Sequence, residues 1–386
     1  MQNITGSPVR EENFFNRENL ITEMWQSIKN GLHILIAAPR RVGKTSLMFY
    51  LMDHPEPHHS FVYLITESIN NENEFYRRLV NKIIKSDFIK RSQKVVSFLE
   101  QHLPSIKKIG VDGVEFGLKE EHDYYEMLKR ILQSETDKTE KLVVMIDEFP
   151  ETLENIVNDE GASPGRHFLQ SNRELRQDPE ISKNIVFIYT GSIGLENVVS
   201  KLNAMSTIND LKRLQIPPLT ETETKQLLSL LEKNKSFKLA DTVKDYIIQK
   251  IEWLIPFYIQ LVFEQMGHIC RETRLVNVTD ETVDRALNNM LEQRNHFEHW
   301  HTRLRAVLPS NQYKFVKDVL NIAAENGSVH RNEIIDCAVK YQLENEYKDL
   351  LSRLVYDGYI NNHDDLKVYR YNSPILKLWW RQNVAN

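Results

Sequence analysis

The chain has 386 residues, a formal charge of −5 and two cysteines, and this length predicts two or three domains with substantial hydrophobic cores. The negative charge argues against a protein that coats nucleic acid, because that role needs a basic surface. Cys270 and Cys337 lie far apart, which indicates a reducing compartment without a disulfide framework. We find no secretion signal and no apolar run of the roughly 18 residues that a membrane span needs, so we expect a cytoplasmic protein without membrane contact.

Strands and helices alternate over roughly the first 220 residues. Runs rich in Val, Ile, Leu and Tyr predict strands at 33–38, 61–68, 142–149, 184–192 and 213–219. Helical patterns lie between them at 45–52, 72–85, 123–134 and 166–177. Nearly continuous apolar strands are typical of a parallel sheet covered by helices, so residues 1–219 are predicted to form a doubly wound α/β domain. Asp112-Gly113 between alternating apolar residues predicts an inserted β-hairpin at 107–119.

From about residue 220 the pattern is helical. Helices predicted at 220–232, 240–250, 256–270 and 279–293 indicate a lid-like helical domain over 220–300. Pro256 falls where a helix can begin, at its first turn. In residues 301–386, helical patterns at 310–325, 331–341 and 346–356 precede two short strands around a polar turn. Three helices and a β-hairpin of this kind predict a winged helix-turn-helix domain.

The loop after the first strand matches the phosphate-binding pattern except at its first position, where alanine replaces glycine. Its residues are Ala38, Pro39, Arg40, Arg41, Val42, Gly43, Lys44, Thr45 and Ser46. A strand before it and a helix after it are the context that this motif requires, and amide groups at the helix N-terminus favour an anion. Gly43 lets the backbone approach phosphates closely, Lys44 places its charge between the β- and γ-phosphates, and Thr45 supplies a hydroxyl ligand for Mg²⁺. The alternative is a strand–helix junction without a ligand.

The third strand ends in Asp147-Glu148, which places two carboxylates at the edge of the sheet where α/β proteins bind ligands. Asp147 is predicted to hold Mg²⁺ through its water shell, and Glu148 to polarise the attacking water. The fourth strand ends in Thr190 and Ser192, which are placed to touch the γ-phosphate or the water. The alternative interpretation is that the acids cap a loop and that the two hydroxyl residues merely end a strand.

Five segments, "FFNRE", "APRRVGKTS", "VVMIDEF", "FIYTGSIGL" and "IPPL", occur in the order seen in archaeal-type ATPases of the AAA+/STAND class of P-loop NTPases. The closing "YNSPILKLWWRQN" resembles the end of that family's winged-helix domain. The resemblance covers nearly the whole chain and implies a sheet order of 5-1-4-3-2, ATP as the ligand and ATP hydrolysis as the reaction. It also implies that Arg17 helps to seat the nucleotide, although Asn16 replaces the usual glycine. The family's Gly-x-Pro turn corresponds to Leu254-Ile255-Pro256, which keeps only the proline. Candidate arginine fingers are Arg166, Arg173, Arg176 and Arg213.

Three functions fit these residues: an ATP-driven switch with a protein partner or self-association, a DNA-binding ATPase, and a P-loop kinase. From His301 onward, twelve Lys and Arg face ten Asp and Glu, a net charge of only +2. The predicted recognition helix exposes Glu346 and Asp349 beside Lys348 and Arg353, whereas a DNA-reading helix needs a basic face. We therefore favour a protein-docking winged helix, with DNA binding as the second interpretation. The kinase is disfavoured, because the acid pair suits activation of water.

The segment "HFEHWH" contains His296, His299 and His301. A helix would bring the first two onto one side, but no carboxylate or cysteine at ligand spacing completes a tetrahedral metal site. We interpret them as solvated histidines beside a buried Trp300.

Overall fold

The computed structural model describes residues 1–86, 88, 123–134, 140–192, 194–233 and 235–385. The hairpin predicted at 107–119 lies outside these residues. The chain divides into two compact units. The core unit consists of Asn16–Ala38 and Lys44–Ile216, and the C-terminal unit of Met1–Phe15, Pro39–Gly43 and Pro217–Asn386.

The core unit contains a five-stranded parallel sheet. Its strands are β1 (Ile34–Ala37), β2 (His59–Ile65), β3 (Lys141–Asp147), β4 (Ile185–Gly191) and β5 (Lys212–Gln215). They are ordered β2-β3-β4-β1-β5, and every neighbouring pair is parallel. This confirms the five predicted strands and the order 5-1-4-3-2. Strand β4 lies at the centre and is buried along its whole length, which explains its almost uninterrupted apolar sequence.

Eight helices of the core unit are described. They are α1 (Glu18–Lys29), α2 (Lys44–Asp53), α3 (Glu72–Ile84), α4 (Tyr124–Gln133), α5 (Phe149–Glu160), α6 (Ala162–Gln177), α7 (Pro179–Ser182) and α8 (Leu195–Lys201). The four predicted helices are confirmed as α2, α3, α4 and α6. Helix α5 was not predicted, although Pro150 in its first turn suits a helix start. Its Phe149 ring lies 5.2 Å from the ring of Phe168, within the core that fixes α5 against α6.

The C-terminal unit is mostly helical. Its helices are α9 (Glu221–Glu232), α10 (Asp241–Ile251), α11 (Pro256–Thr273), α12 (Asp280–Glu292), α13 (Arg294–Val307), α14 (Ser310–Asn326), α15 (Arg331–Lys340), α16 (Tyr347–Tyr356) and α17 (Pro374–Asn383). The seven predicted helices are confirmed, and α13 and α17 are additional. Phe297 of α13 stacks on Tyr258 of α11 and on Trp379 of α17, with ring centres 6.2 and 5.9 Å apart. These aromatic contacts therefore join α11 and α13 to the last helix, α17.

A small antiparallel sheet is formed by one strand between α14 and α15 and two strands between α16 and α17. It consists of β6 (Val329–His330), β7 (Ile360–Asn361) and β8 (Val368–Tyr371), in the order β6-β8-β7. Strands β7 and β8 confirm the two predicted strands. The expectation that Arg353 is exposed is wrong, because Arg353 shares the buried face of α16 with Leu350 and Leu354. Its Nε lies 3.9 Å from the buried Asp357 carboxylate. None of the helices within the described ranges is long and apolar enough to cross a membrane.

Candidate functional site

The loop of residues 38–43 joins β1 to α2. Arg41 and Gly43 both have left-handed backbone conformations, with φ of 66° and 100°. The space beside Gly43 is open, so the backbone conformation rather than crowding favours glycine there. Helix α2 begins at Lys44, and the buried Lys44 Nζ donates a hydrogen bond of 3.0 Å to the carbonyl oxygen of Ala38. The ammonium group therefore lies against the first residue of the predicted phosphate-binding loop.

Asp147, the last residue of β3, joins three elements of the core unit. Its Oδ2 accepts hydrogen bonds from Thr45 Oγ1 and from Tyr63 OH, both at 2.8 Å. The side chain is buried, and burial followed by the charge of Glu148 raises its pKa, against the opposing effects of Tyr63, Thr45 and Lys44. The structure thus brings together the two oxygen donors predicted for Mg²⁺, on Thr45 and Asp147, and this type of donor is the one that Mg²⁺ prefers.

Glu148 has different partners from Asp147. Its Oε2 accepts hydrogen bonds from the backbone N–H of Ser192 at 2.8 Å and from Ser192 Oγ at 3.0 Å. Its φ of 60° is left-handed, a conformation that costs a non-glycine residue about 1 kcal/mol or more and that clusters at functional sites. The two adjacent acids therefore point to opposite neighbours, Asp147 to α2 and β2 and Glu148 to the end of β4.

A third carboxyl group, Glu151, lies beside Glu148 and was missed by the sequence interpretation. Its Oε1 is 2.5 Å from Ser192 Oγ. Burial, followed by the charge of Glu148, raises the pKa of Glu151 to about 8. The sequence does contain a sign of this contact. Glu151 follows Glu148 by three positions, and residues three apart lie on the same side of a helical turn. Tyr63 was missed as well, because its position in a strand gives no sign of its hydroxyl partner.

Gly191 allows β4 to approach the start of α5 closely. A Cβ atom at this position would overlap Pro150 and would lie 3.1 Å from Glu151 Oε2. Glycine is therefore needed for close approach, and it brings Ser192 to both glutamates. Thr190 is fully buried, and its Oγ1 has no hydrogen-bond partner within the described part of the chain.

The four candidate arginine fingers have different surroundings. Arg176 is buried, with Nε 2.7 Å from Asp210 and Nη2 donating to the carbonyl of Thr207 at 2.6 Å. These contacts explain why an arginine is buried at position 176, and they give it a structural role. Arg213 pairs with Glu196 at 3.1 Å, while Arg166 is exposed and Arg173 half-buried. Arg17, the residue that precedes α1, is buried in the core unit.

Within the C-terminal unit, Arg41 packs on residues of α11 and α13. Its guanidinium carbon lies 4.0 Å from the centre of the Phe257 ring, next to Pro256 of the predicted sensing turn. Its Nη2 donates a weak hydrogen bond of 3.5 Å to Nδ1 of His299. Burial, and then the charges of Arg41 and Arg40, lower the pKa of His299 to about 3, so the imidazole is neutral and can accept. His301 instead pairs with Tyr313 OH at 2.7 Å.

A parallel sheet of this order, with a Gly-Lys-Thr loop after β1 and an acid pair at the end of β3, defines a P-loop NTPase fold. The Walker-type ATPase PABY2304 of Pyrococcus abyssi has a similar structure, with a TM-score of 0.66 and 17% sequence identity, covering 99% of this chain and 100% of that chain. The ORC2 protein of Aeropyrum pernix, solved in ADPNP–ADP complexes, gives a TM-score of 0.53 at 11% identity, with 97% and 98% covered. No protein-family model and no curated protein matches this sequence.

Proposed function

We propose that this chain is an ATPase of the AAA+/STAND class that works as a switch. It binds Mg-ATP at residues 38–46 and hydrolyses it, and the nucleotide state controls the docking of its lid (220–300), its winged-helix domain (301–386) and a protein partner. The core supports the ATPase activity through its fold and acid pair. The observation that carries the switch is the packing of Arg41, a residue of the phosphate-binding motif, on α11 and α13.

The proposed chemistry uses the residues at the carboxyl edge of the sheet. Lys44 would contact the β- and γ-phosphates, while the Thr45 hydroxyl and the Asp147 carboxylate would hold Mg²⁺, which would neutralise phosphate charge. Glu148 accepts a proton from the water that attacks the γ-phosphate, and general bases of this kind contribute about 10²–10⁴-fold to a rate. Ser192 orients Glu148 for this role through its backbone N–H and its hydroxyl.

The proposed switch depends on residues 39–43, which take part both in the phosphate-binding motif and in the C-terminal unit. By sequence they belong to the phosphate-binding loop, and by packing they belong to the C-terminal unit. A cation–π contact such as that of the half-buried Arg41 with the buried Phe257 contributes about 0.5–2 kcal/mol. This is comparable to typical coupling free energies between sites. A nucleotide that shifts the loop backbone therefore changes the contacts of Phe257 and His299, and this change is the signal to α11 and α13.

A protein is the partner that the surface charge favours. On α16, Glu346, Lys348 and Asp349 are exposed while Arg353 is buried, so the outer face of this helix is not basic. Of the acids at the tip of the β7–β8 hairpin, Asp364 pairs with Arg370 at 2.6 Å. Duplex DNA is the competing partner. A salt-dependent, sub-micromolar duplex affinity that disappears when residues 301–386 are deleted would reverse this preference.

The test is hydrogen–deuterium exchange of the full chain with and without Mg-ATP. We expect ATP to change exchange in peptides from α2 and also in peptides from α13. In Arg41→Ala, calorimetry should still show ATP binding while α13 no longer responds. Arg285→Ala, which removes an exposed arginine on α12, is the matched control and should respond as the wild type does.

The possible failures can be told apart. If the wild-type chain binds no ATP, the whole proposal is wrong. If ATP binds and changes exchange only in the core unit, the ATPase assignment survives and the switch does not.

A further inference from the structure

Two carboxyl groups share one serine hydroxyl at the end of β4. Ser192 Oγ lies 2.5 Å from Glu151 Oε1 and 3.0 Å from Glu148 Oε2. A hydroxyl group has one proton to donate, so it cannot satisfy two carboxylates at once. Since both contacts lie within hydrogen-bonding distance, the arrangement needs a second proton on one of the acids.

The surroundings assign that proton to Glu151. Glu148 Oε2 already accepts the backbone N–H of Ser192, which favours its charged form. Glu151 is buried and faces the charge of Glu148, and these two effects raise its pKa to about 8. Among the described residues, Glu151 faces Glu148, whose side chain also lies within hydrogen-bonding reach of it, the side chain of Ser192 and the backbone of Gly191.

We propose that Glu151 is a protonated positioning residue, so that Glu148 is the only charged member of the Glu148–Glu151 pair. Glu151 donates its proton to Ser192 Oγ, and Ser192 donates its own proton to Glu148. This inference rests on the proposed function, because it concerns the group that activates water. It adds a regulatory property, since the relay exists only while Glu151 keeps its proton.

Loss of that proton has a defined effect. With both acids charged, Ser192 can donate to only one of them, and the second negative charge lies beside Glu148 and near the expected γ-phosphate. Hydrolysis should therefore fall on the alkaline side, by about tenfold for each pH unit beyond the pKa, as expected for one ionisation.

The experiment measures kcat and KM for ATP from about pH 6 to pH 9, the interval over which such an ionisation is seen in rate profiles. Glu151→Gln keeps a donor to Ser192 but cannot ionise, so its profile should lack the alkaline fall in kcat while KM stays similar. Glu160→Gln makes the same change at the exposed end of α5 and should retain the fall. Glu151→Leu removes the donor and cannot ionise, so it should lower kcat on the acidic side of the profile and should also lack the alkaline fall. An alkaline fall that persists in Glu151→Gln would overturn the proposal.

A second measurement does not depend on ATP hydrolysis. The infrared difference spectrum of wild type minus Glu151→Gln should show the carbonyl band of a protonated carboxylic acid at neutral pH, and the band should vanish at alkaline pH. If the band is present in a chain without ATPase activity, the proposed function fails and the shared proton stands. If the chain hydrolyses ATP and the band is missing at neutral pH, this inference fails alone.

Discussion

Replacing Glu148 by glutamine changes one oxygen atom of the site into an amide nitrogen and removes one negative charge. The remaining oxygen can still accept from the backbone N–H and the hydroxyl of Ser192, now 2.8 and 3.0 Å from Glu148 Oε2. Burial would still raise the pKa of Glu151 and of Asp147, but the additional effect of the Glu148 charge on both would be gone. We therefore expect Glu148→Gln to be at least as stable as the wild type.

Turnover should behave differently from stability. A lost general base typically costs about 10²–10⁴-fold in rate, which corresponds to roughly 2.7–5.4 kcal/mol of transition-state free energy. The nucleotide should still bind, because Lys44, Thr45 and Asp147 are unchanged. Calorimetry with Mg-ATP and single-turnover hydrolysis on the same preparation measure both quantities.

Asp147→Asn is the matched comparison, since it makes the same chemical change at the neighbouring residue. It removes the charge to which Thr45 and Tyr63 donate, so Mg-ATP binding should weaken as well as hydrolysis. A folded Glu148→Gln protein that hydrolyses ATP at the wild-type rate would refute the assignment of the base. A loss of binding as large as that of Asp147→Asn would show that the roles of the two acids are reversed.

Other substitutions test separate parts of the molecule. Lys44→Ala should weaken ATP binding without unfolding the chain, and unchanged affinity in calorimetry would contradict the site. Phe257→Leu keeps apolar volume but removes the ring under Arg41, so about 0.5–2 kcal/mol of contact energy should be lost. The change in hydrogen–deuterium exchange of α13 on adding Mg-ATP should then be smaller than in the wild type. An unchanged response would contradict the proposed coupling between the loop and α13. The pKa of Glu151 is raised from 4.5 to about 8, so its stabilising effect is complete below about pH 4.5 and is lost as the pH rises to about 8. Stability should fall over that interval by at most about 1.4 kcal/mol for each unit of pKa shift, and Glu151→Gln should flatten the curve in urea denaturation. An equal slope in both proteins would show that Glu151 does not keep its proton.

The parts of the fold that were predicted from sequence depend on local patterns. Strand β4 is apolar at nearly every position because it lies at the centre of the sheet. Asp147 and Glu148 end the apolar run of β3, so the end of that strand could also be predicted from the sequence. The predicted strand 142–149 wrongly includes Phe149, the first residue of α5. Phe149 is as apolar as the strand residues before it, so the pattern shows no boundary there. Glu151 was missed for this reason, since its relation to Glu148 depends on the helix.

The contacts that were missed involve residues far apart in the chain. Tyr63 lies 84 positions before its partner Asp147, and Arg41 lies 258 positions before His299. Periodicity carries no information about such pairs. Arg353 was assigned to the surface because charged residues usually lie there. Its position three residues after Leu350 instead places it on the buried face of the helix.

The close packing at Gly191 limits how this chain can change over evolutionary time. Alanine at this position would overlap Pro150 and crowd Glu151, so a single added carbon would force the packing of β4 on the start of α5 to shift, next to Ser192 and Glu151. If Glu148 and Ser192 act as proposed, a mutation that leaves every acid in place would thus slow ATP hydrolysis while nucleotide binding remains. Regaining hydrolysis without restoring glycine would require a smaller residue at Pro150, so we expect positions 150 and 191 to change as a pair among descendants of this sequence.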